Sequence, residues 1–191
     1  MLKKIMKKLI YFLTLNCFFG FSQSQVNMEE SSVKWTGVQL SGKTHYGSLA
    51  FESADLSFNE DQLVGGNFVV DMTSLSVDDL TGRGKKSLEG HLKADDFFSV
   101  NEFNFSELKL NAVDMVSENE YSAEGDLTIK GYTHKAKVSF YTEDDSKNLK
   151  AKLVFDRSKY NVRYGSGSFF ENLGDNLILD DIELEVTLVI M

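Results

Sequence analysis

Apolar and polar side chains alternate along most of this chain, and none of its 191 residues is a proline. In residues 68–72 the two-residue period puts Phe68, Val70 and Met72 on one face of a strand. The rhythm returns at residues 33–36, 48–52, 56–58, 103–105, 127–129, 136–140, 151–155 and 182–188. Strands that are wet on one side and apolar on the other suit an antiparallel sheet with one solvated face. About eight of them predict closure into a barrel, which removes exposed edges. Without proline, every ladder position keeps its N–H donor. The expected fold class is all-β, an antiparallel barrel of about eight strands.

One stretch breaks the rhythm. Residues 85–96 bring Leu88, His91 and Leu92 to i, i+3 and i+4, so a single short helix is predicted there. Turn signals fall at Asn59-Glu60-Asp61, Gly65-Gly66, Ser117-Glu118-Asn119 and Asp144-Asp145-Ser146. Gly131-Tyr132-Thr133-His134 reads as a tight connection between two strands.

The N-terminus has another character. Lys3, Lys4, Lys7 and Lys8 precede an apolar run over residues 9–21. That run is too short for a bilayer span of roughly 20 residues, and its flanks suit a secretory signal. The expected organisation is a signal peptide over residues 1–22 and one barrel domain over 23–191, with cleavage between Ser22 and Gln25. Cys17, the only cysteine, lies inside the run, and Asn16 before it fits a lipoprotein attachment site poorly. The mature chain then has no thiol for disulfides, zinc or nucleophilic catalysis. It carries 16 Lys+Arg against 29 Asp+Glu, a net charge of −13. Such a charge repels phosphate backbones and anionic surfaces, so no nucleic acid and no stable membrane insertion after cleavage are expected. A periplasmic or secreted location follows from the leader.

Residues with catalytic chemistry are scattered. His45, His91 and His134 show no metal-ligand spacing, although a metal-assisted hydrolase using them with nearby carboxylates stays open as an alternative. The Asp pairs at 78–79, 95–96, 144–145 and 180–181 put neighbours on opposite strand faces, which does not by itself make a glycosidase pair. Gly165-Ser166-Gly167-Ser168 matches neither a nucleophile elbow nor a phosphate loop, and Phe169-Phe170 follows it. It reads as a flexible turn that lets two rings fold over an opening. No catalytic residue, metal ligand or cofactor is assigned, and the chain is not expected to be an enzyme.

Eleven phenylalanines remain after residue 22, with Trp35 and the tyrosines. They fill a solid core or line a cavity; an eight-stranded barrel permits both. A filled barrel acting through its acidic surface is the second alternative. Monomer and homodimer are both open.

Several blocks together narrow the choice: Val33-Lys34-Trp35-Thr36-Gly37, Gly66-Asn67-Phe68-Val69-Val70-Asp71-Met72, Leu88-Glu89-Gly90-His91-Leu92-Lys93-Ala94-Asp95-Asp96-Phe97-Phe98, Gly125-Asp126-Leu127-Thr128-Ile129-Lys130-Gly131, Phe155-Asp156-Arg157-Ser158-Lys159-Tyr160 and Tyr164-Gly165-Ser166-Gly167-Ser168-Phe169-Phe170. In order and spacing, from about residue 32 to 189, the chain resembles the YceI-like family of exported bacterial proteins. The resemblance implies a lipocalin-like barrel that encloses a polyisoprenoid, such as an isoprenoid quinone tail, and does no catalysis. A proline that family members often carry after the Asp-Phe-Phe block is missing from Asn101-Glu102-Phe103-Asn104.

Alternation then assigns the lining. Trp35, Phe51, Phe58, Phe68, Val70, Met72, Phe105, Phe140 and Phe155 are expected on the inward faces. Phe97, Phe98, Tyr164, Phe169 and Phe170 are expected near the mouth. A slip of one residue would turn any of these strands inside out.

Overall fold

The computed structural model describes residues 21–142 and 148–191. The turn expected at Asp144-Asp145-Ser146 and nearly all of the expected leader lie outside these residues. The strands are β1 (Phe21–Gln25), β2 (Ser32–Val38), β3 (Thr44–Asn59), β4 (Gln62–Asp71), β5 (Phe105–Ser117), β6 (Glu120–Ile129), β7 (Tyr132–Thr142), β8 (Asn148–Asp156) and β9 (Asp181–Val189), with helix α1 (Gly82–Lys93) between β4 and β5.

Strands β2 to β9 form a closed, antiparallel, eight-stranded barrel, each paired with the next and β9 paired back to β2. The short β1 continues the row of β2 along β3, with Ser24 opposite Leu56 and Val26 bridging Ile190. Two-residue alternation is visible in the burial of β6, where Tyr121, Ala123, Leu127 and Ile129 are buried. The β6–β7 hairpin turns at Lys130 and Gly131, both with positive φ (53° and 77°), as a two-residue turn between twisted strands requires.

Three local expectations are corrected. The helix begins and ends three residues earlier than expected: Gly82 and Gly84 mask its start, and extended Ala94 stops it. Gly65 and Gly66 are not a turn but lie inside β4, opposite Ser57 and Leu56. Strand β5 starts at Phe105, after a turn in which Ser99 takes φ 49° and its carbonyl receives the N–H groups of Glu102 and Phe103. Ser106 and Leu110 are therefore buried, and Phe105 is 49% exposed.

Between β4 and α1 the chain runs as a strap along the free edge of β3. Ser76 donates its N–H to Ser48 O (3.0 Å), Asp78 donates to Tyr46 O (2.9 Å), and Ala50 N–H reaches Ser74 Oγ (2.8 Å). Trp35 Nε1 donates to Ser76 O (3.0 Å) from inside the barrel. Only glycine fits beneath this strap at position 47, because a Cβ there would come within 1.8 Å of Ser76 O.

Candidate ligand cavity

The barrel is hollow at one end and solid at the other. At the solid end Leu56, Leu63, Leu110, Tyr121, Leu149 and Leu188 are all buried against one another's cluster. Toward α1 the same sheet opens into a cavity of about 480 Å³, within the roughly 300–1,000 Å³ of small-molecule sites. Phe51, Phe68 and Phe140 make a row of rings across its inner end, with centroids 6.4 and 6.3 Å apart.

Of the residues expected to line it, Trp35, Phe51, Phe68, Val70 and Met72 do so from β2, β3, β4 and the start of the strap. Phe140 and Phe155 line the opposite wall, and Phe97, Phe98 and Tyr164 line it near α1. Four do not. Phe58 packs against the core at the solid end of β3. Phe105 faces outward, and Ser106 and Leu108 take its place. Phe169 and Phe170 are 36% and 45% exposed and stack on the Arg163 guanidinium, at 4.9 and 6.0 Å.

The Gly-Ser segment before those rings is a tied knot and not a flexible turn. Ser166, fully buried, and Ser168 both donate side-chain hydrogen bonds to Asp180 Oδ2, at 2.9 and 2.7 Å. Asp180 Oδ1 lies 3.2 Å from Arg157 Nη2, an ion pair without hydrogen-bond geometry.

Arg157 itself is fully buried and was not anticipated as part of the site. Its guanidinium donates to the carbonyls of Val162, Tyr164, Ile178 and Leu179, at 2.9 to 3.2 Å. Burial lowers its pKa, against the opposing pull of Asp180 and Asp156. Lys130 acts alike, giving its ammonium to Asp95 O, Phe97 O and Asn161 O. Two cations thus clamp the loops around the mouth through backbone carbonyls. The signal for Arg157 was present: period two carries the inward positions Leu153 and Phe155 on to 157.

Polar groups gather at the rim. Gln39, Lys43, His45, Ser87 and His91 line the cavity there. His45 Nδ1 is 2.7 Å from Asp79 Oδ2, and Asp79 Oδ1 accepts the Tyr46 N–H at 3.1 Å. Burial would raise the Asp79 carboxyl, but the bonds from His45 and Tyr46 prevail and hold it below its ordinary value. His91 Nε2 lies 3.5 Å from Asp96, and its ring meets Phe97 and Tyr164 edge-on. His134 is remote from the other two, with Nε2 at 3.0 Å from Lys159 O. Among the described residues no three His, Cys, Asp or Glu side chains are grouped to hold a metal. Among them too, no helix is long and apolar enough to cross a membrane.

Comparison with known proteins fits this geometry. A family model described as the YceI-like domain matches residues 24–190. The structure is similar to that of BcnA from Burkholderia cenocepacia, with TM-score 0.65 and 20% identity, over 86% of this chain and 98% of that one. It is also similar to the YceI protein of Campylobacter jejuni, with TM-score 0.55 and 16% identity, over 74% of this chain and 82% of that one. At these identities the two structures speak for the fold. No curated protein matches the sequence.

Proposed function

The chain belongs to the YceI-like family, and from that premise we propose that it binds a long apolar lipid, a polyisoprenoid or an isoprenoid quinone tail, inside its barrel. In this reading it is an exported carrier or storage protein and not a catalyst. The observation that carries the reading is the hollow half-barrel, walled by aromatic and aliphatic side chains and stopped at its inner end by three phenylalanine rings. An apolar chain has almost no hydrogen-bonding groups, so its affinity comes from surface removed from water. At about 0.3 kcal/mol per heavy atom, a 20-carbon chain reaches about 6 kcal/mol and a 40-carbon chain about 12 kcal/mol. The longer tenant would survive purification.

Export rests on the basic and apolar pattern of residues 1–22. A filled barrel working through its acidic surface is the weaker reading, because it gives the cavity no role.

Trp35 is the sole tryptophan and stands in the cavity wall, so its fluorescence reports occupancy. Titration with a C20 prenyl alcohol should saturate at one lipid per chain. In an Ala151→Phe variant, whose new ring fills the cavity from β8, binding should be lost while the circular dichroism of a β-protein is retained. Equal binding by both proteins would move the lipid out of the barrel and end this reading.

A further inference from the structure

We propose that His45 is a hydrogen-bond acceptor for the ligand's polar end, so the cavity selects long-chain lipids that carry a hydroxyl (alcohols, phenols or quinols) over ethers or quinones of the same chain. The inference rests on the lipid-binding reading and adds a head-group chemistry to it.

Along β3, the two-residue period places His45 on the inward face with Leu49 and Phe51, and all three line the cavity. Its side chain is only 16% exposed. The strap supplies Asp79, whose carboxylate is bound at both ends, by His45 Nδ1 at 2.7 Å and by the Tyr46 N–H at 3.1 Å. An ionised carboxylate only accepts hydrogen bonds, so in the neutral ring the proton sits on Nδ1. Nε2 is then a bare lone pair at the cavity rim, and nothing among the described residues donates to it. A ligand hydroxyl supplies the missing donor; an ether or a quinone carbonyl cannot.

Neighbouring groups are less selective. Gln39, Lys43 and Ser87 are further polar side chains on that rim; Lys43 only donates, while Gln39 and Ser87 can donate to any oxygen or accept from a hydroxyl. The His91 ring is already held by Asp96, Phe97 and Tyr164. His45 differs in being fixed by a carboxylate at 2.7 Å, so that its open nitrogen can accept and cannot donate.

The test compares a C20 prenyl alcohol with its methyl ether by Trp35 fluorescence, and the readout is the affinity ratio within each protein, so a general change in binding cancels. The native chain should favour the alcohol by about fivefold, the worth of one neutral hydrogen bond. His45→Phe should bring the ratio to one. Asp79→Asn is the sharper variant. Its carbonyl can keep the Tyr46 bond while its amide donates to Nδ1, which drives the ring proton to Nε2. The ring then donates to either oxygen, and the preference should collapse through a gain in ether binding. Equal affinities in the native chain, or a preference that survives His45→Phe, overturn the inference and leave the cavity reading standing. Failure of both lipids to bind overturns the cavity reading and the inference with it.

Discussion

The two ends of this barrel are built from the same strands and behave as different materials. At the solid end, strands β5 and β6 meet in a short hairpin and the inward positions pack to exclusion, with Leu56 and Leu188 fully buried. At the other end, beside the tight β6–β7 turn, stand two long connections: the strap and α1 on one side, the segment between β8 and β9 on the other. Those connections splay over the rim and are fastened by cations to backbone carbonyls. Order at the solid end comes from apolar packing; at the hollow end it comes from hydrogen bonds around a space. A barrel that must keep room for a guest needs the second kind of order, because filling the space would remove the site.

The comparison breaks most visibly at Arg157. Its replacement by leucine leaves four carbonyls without their donor and Asp180 without its counter-charge, so a loss of about 3–5 kcal/mol is expected in urea unfolding. A loss under about 1 kcal/mol would mean that the mouth is held by something else.

Truncations sharpen it next. Leu56→Ala at the solid end should cost about 2–5 kcal/mol, as a cavity in close-packed surroundings does. Leu184→Ala, which only widens a space already present, should cost less than about 1.5 kcal/mol. Equal costs would show the two ends to be equally packed.

Gly47→Ala should lift the strap off β3 and cost about 1–3 kcal/mol, with loss of the alcohol preference because Asp79 moves with the strap.

The smallest effect concerns acid. Asp78 and Asp79 both titrate below the ordinary 3.8 in the folded chain. Their contribution to stability is therefore present above about pH 4 and is lost as pH falls through the folded values. Asp79→Asn should flatten that limb of an acid unfolding curve.

Much of this fold was legible in the alternation, and the failures share a physical cause. Period two finds strands but not where a strand begins, so Phe105 was placed inside, although the turn at Ser99 starts β5 one residue out of step. A bulge between Phe51 and Ser53 moves the inward set of β3 from odd to even numbers, so Phe58 still turns inward, but it stands near the end of β3, opposite Leu63, and so at the solid end. Phe169 and Phe170 were expected over the opening, but Ser166 and Ser168 bind Asp180, a tertiary contact that local pattern cannot reveal. His45, read from sequence only as a hydrolase alternative, and Arg157 stand in the inward period of their strands, where period two alone does not mark charged and polar types. The lesson is specific: at the hollow end, an inward polar residue in register with aromatics marks the site as much as the aromatics do.

The central claim is that the hollow half-barrel holds a long apolar lipid. Mass spectrometry of an organic extract of the mature protein, purified undenatured from its natural host, tests it most directly. The account predicts one isoprenoid or other long-chain lipid per chain, absent from an Ala151→Phe control. A clean extract from native protein, matched to that control, would contradict it.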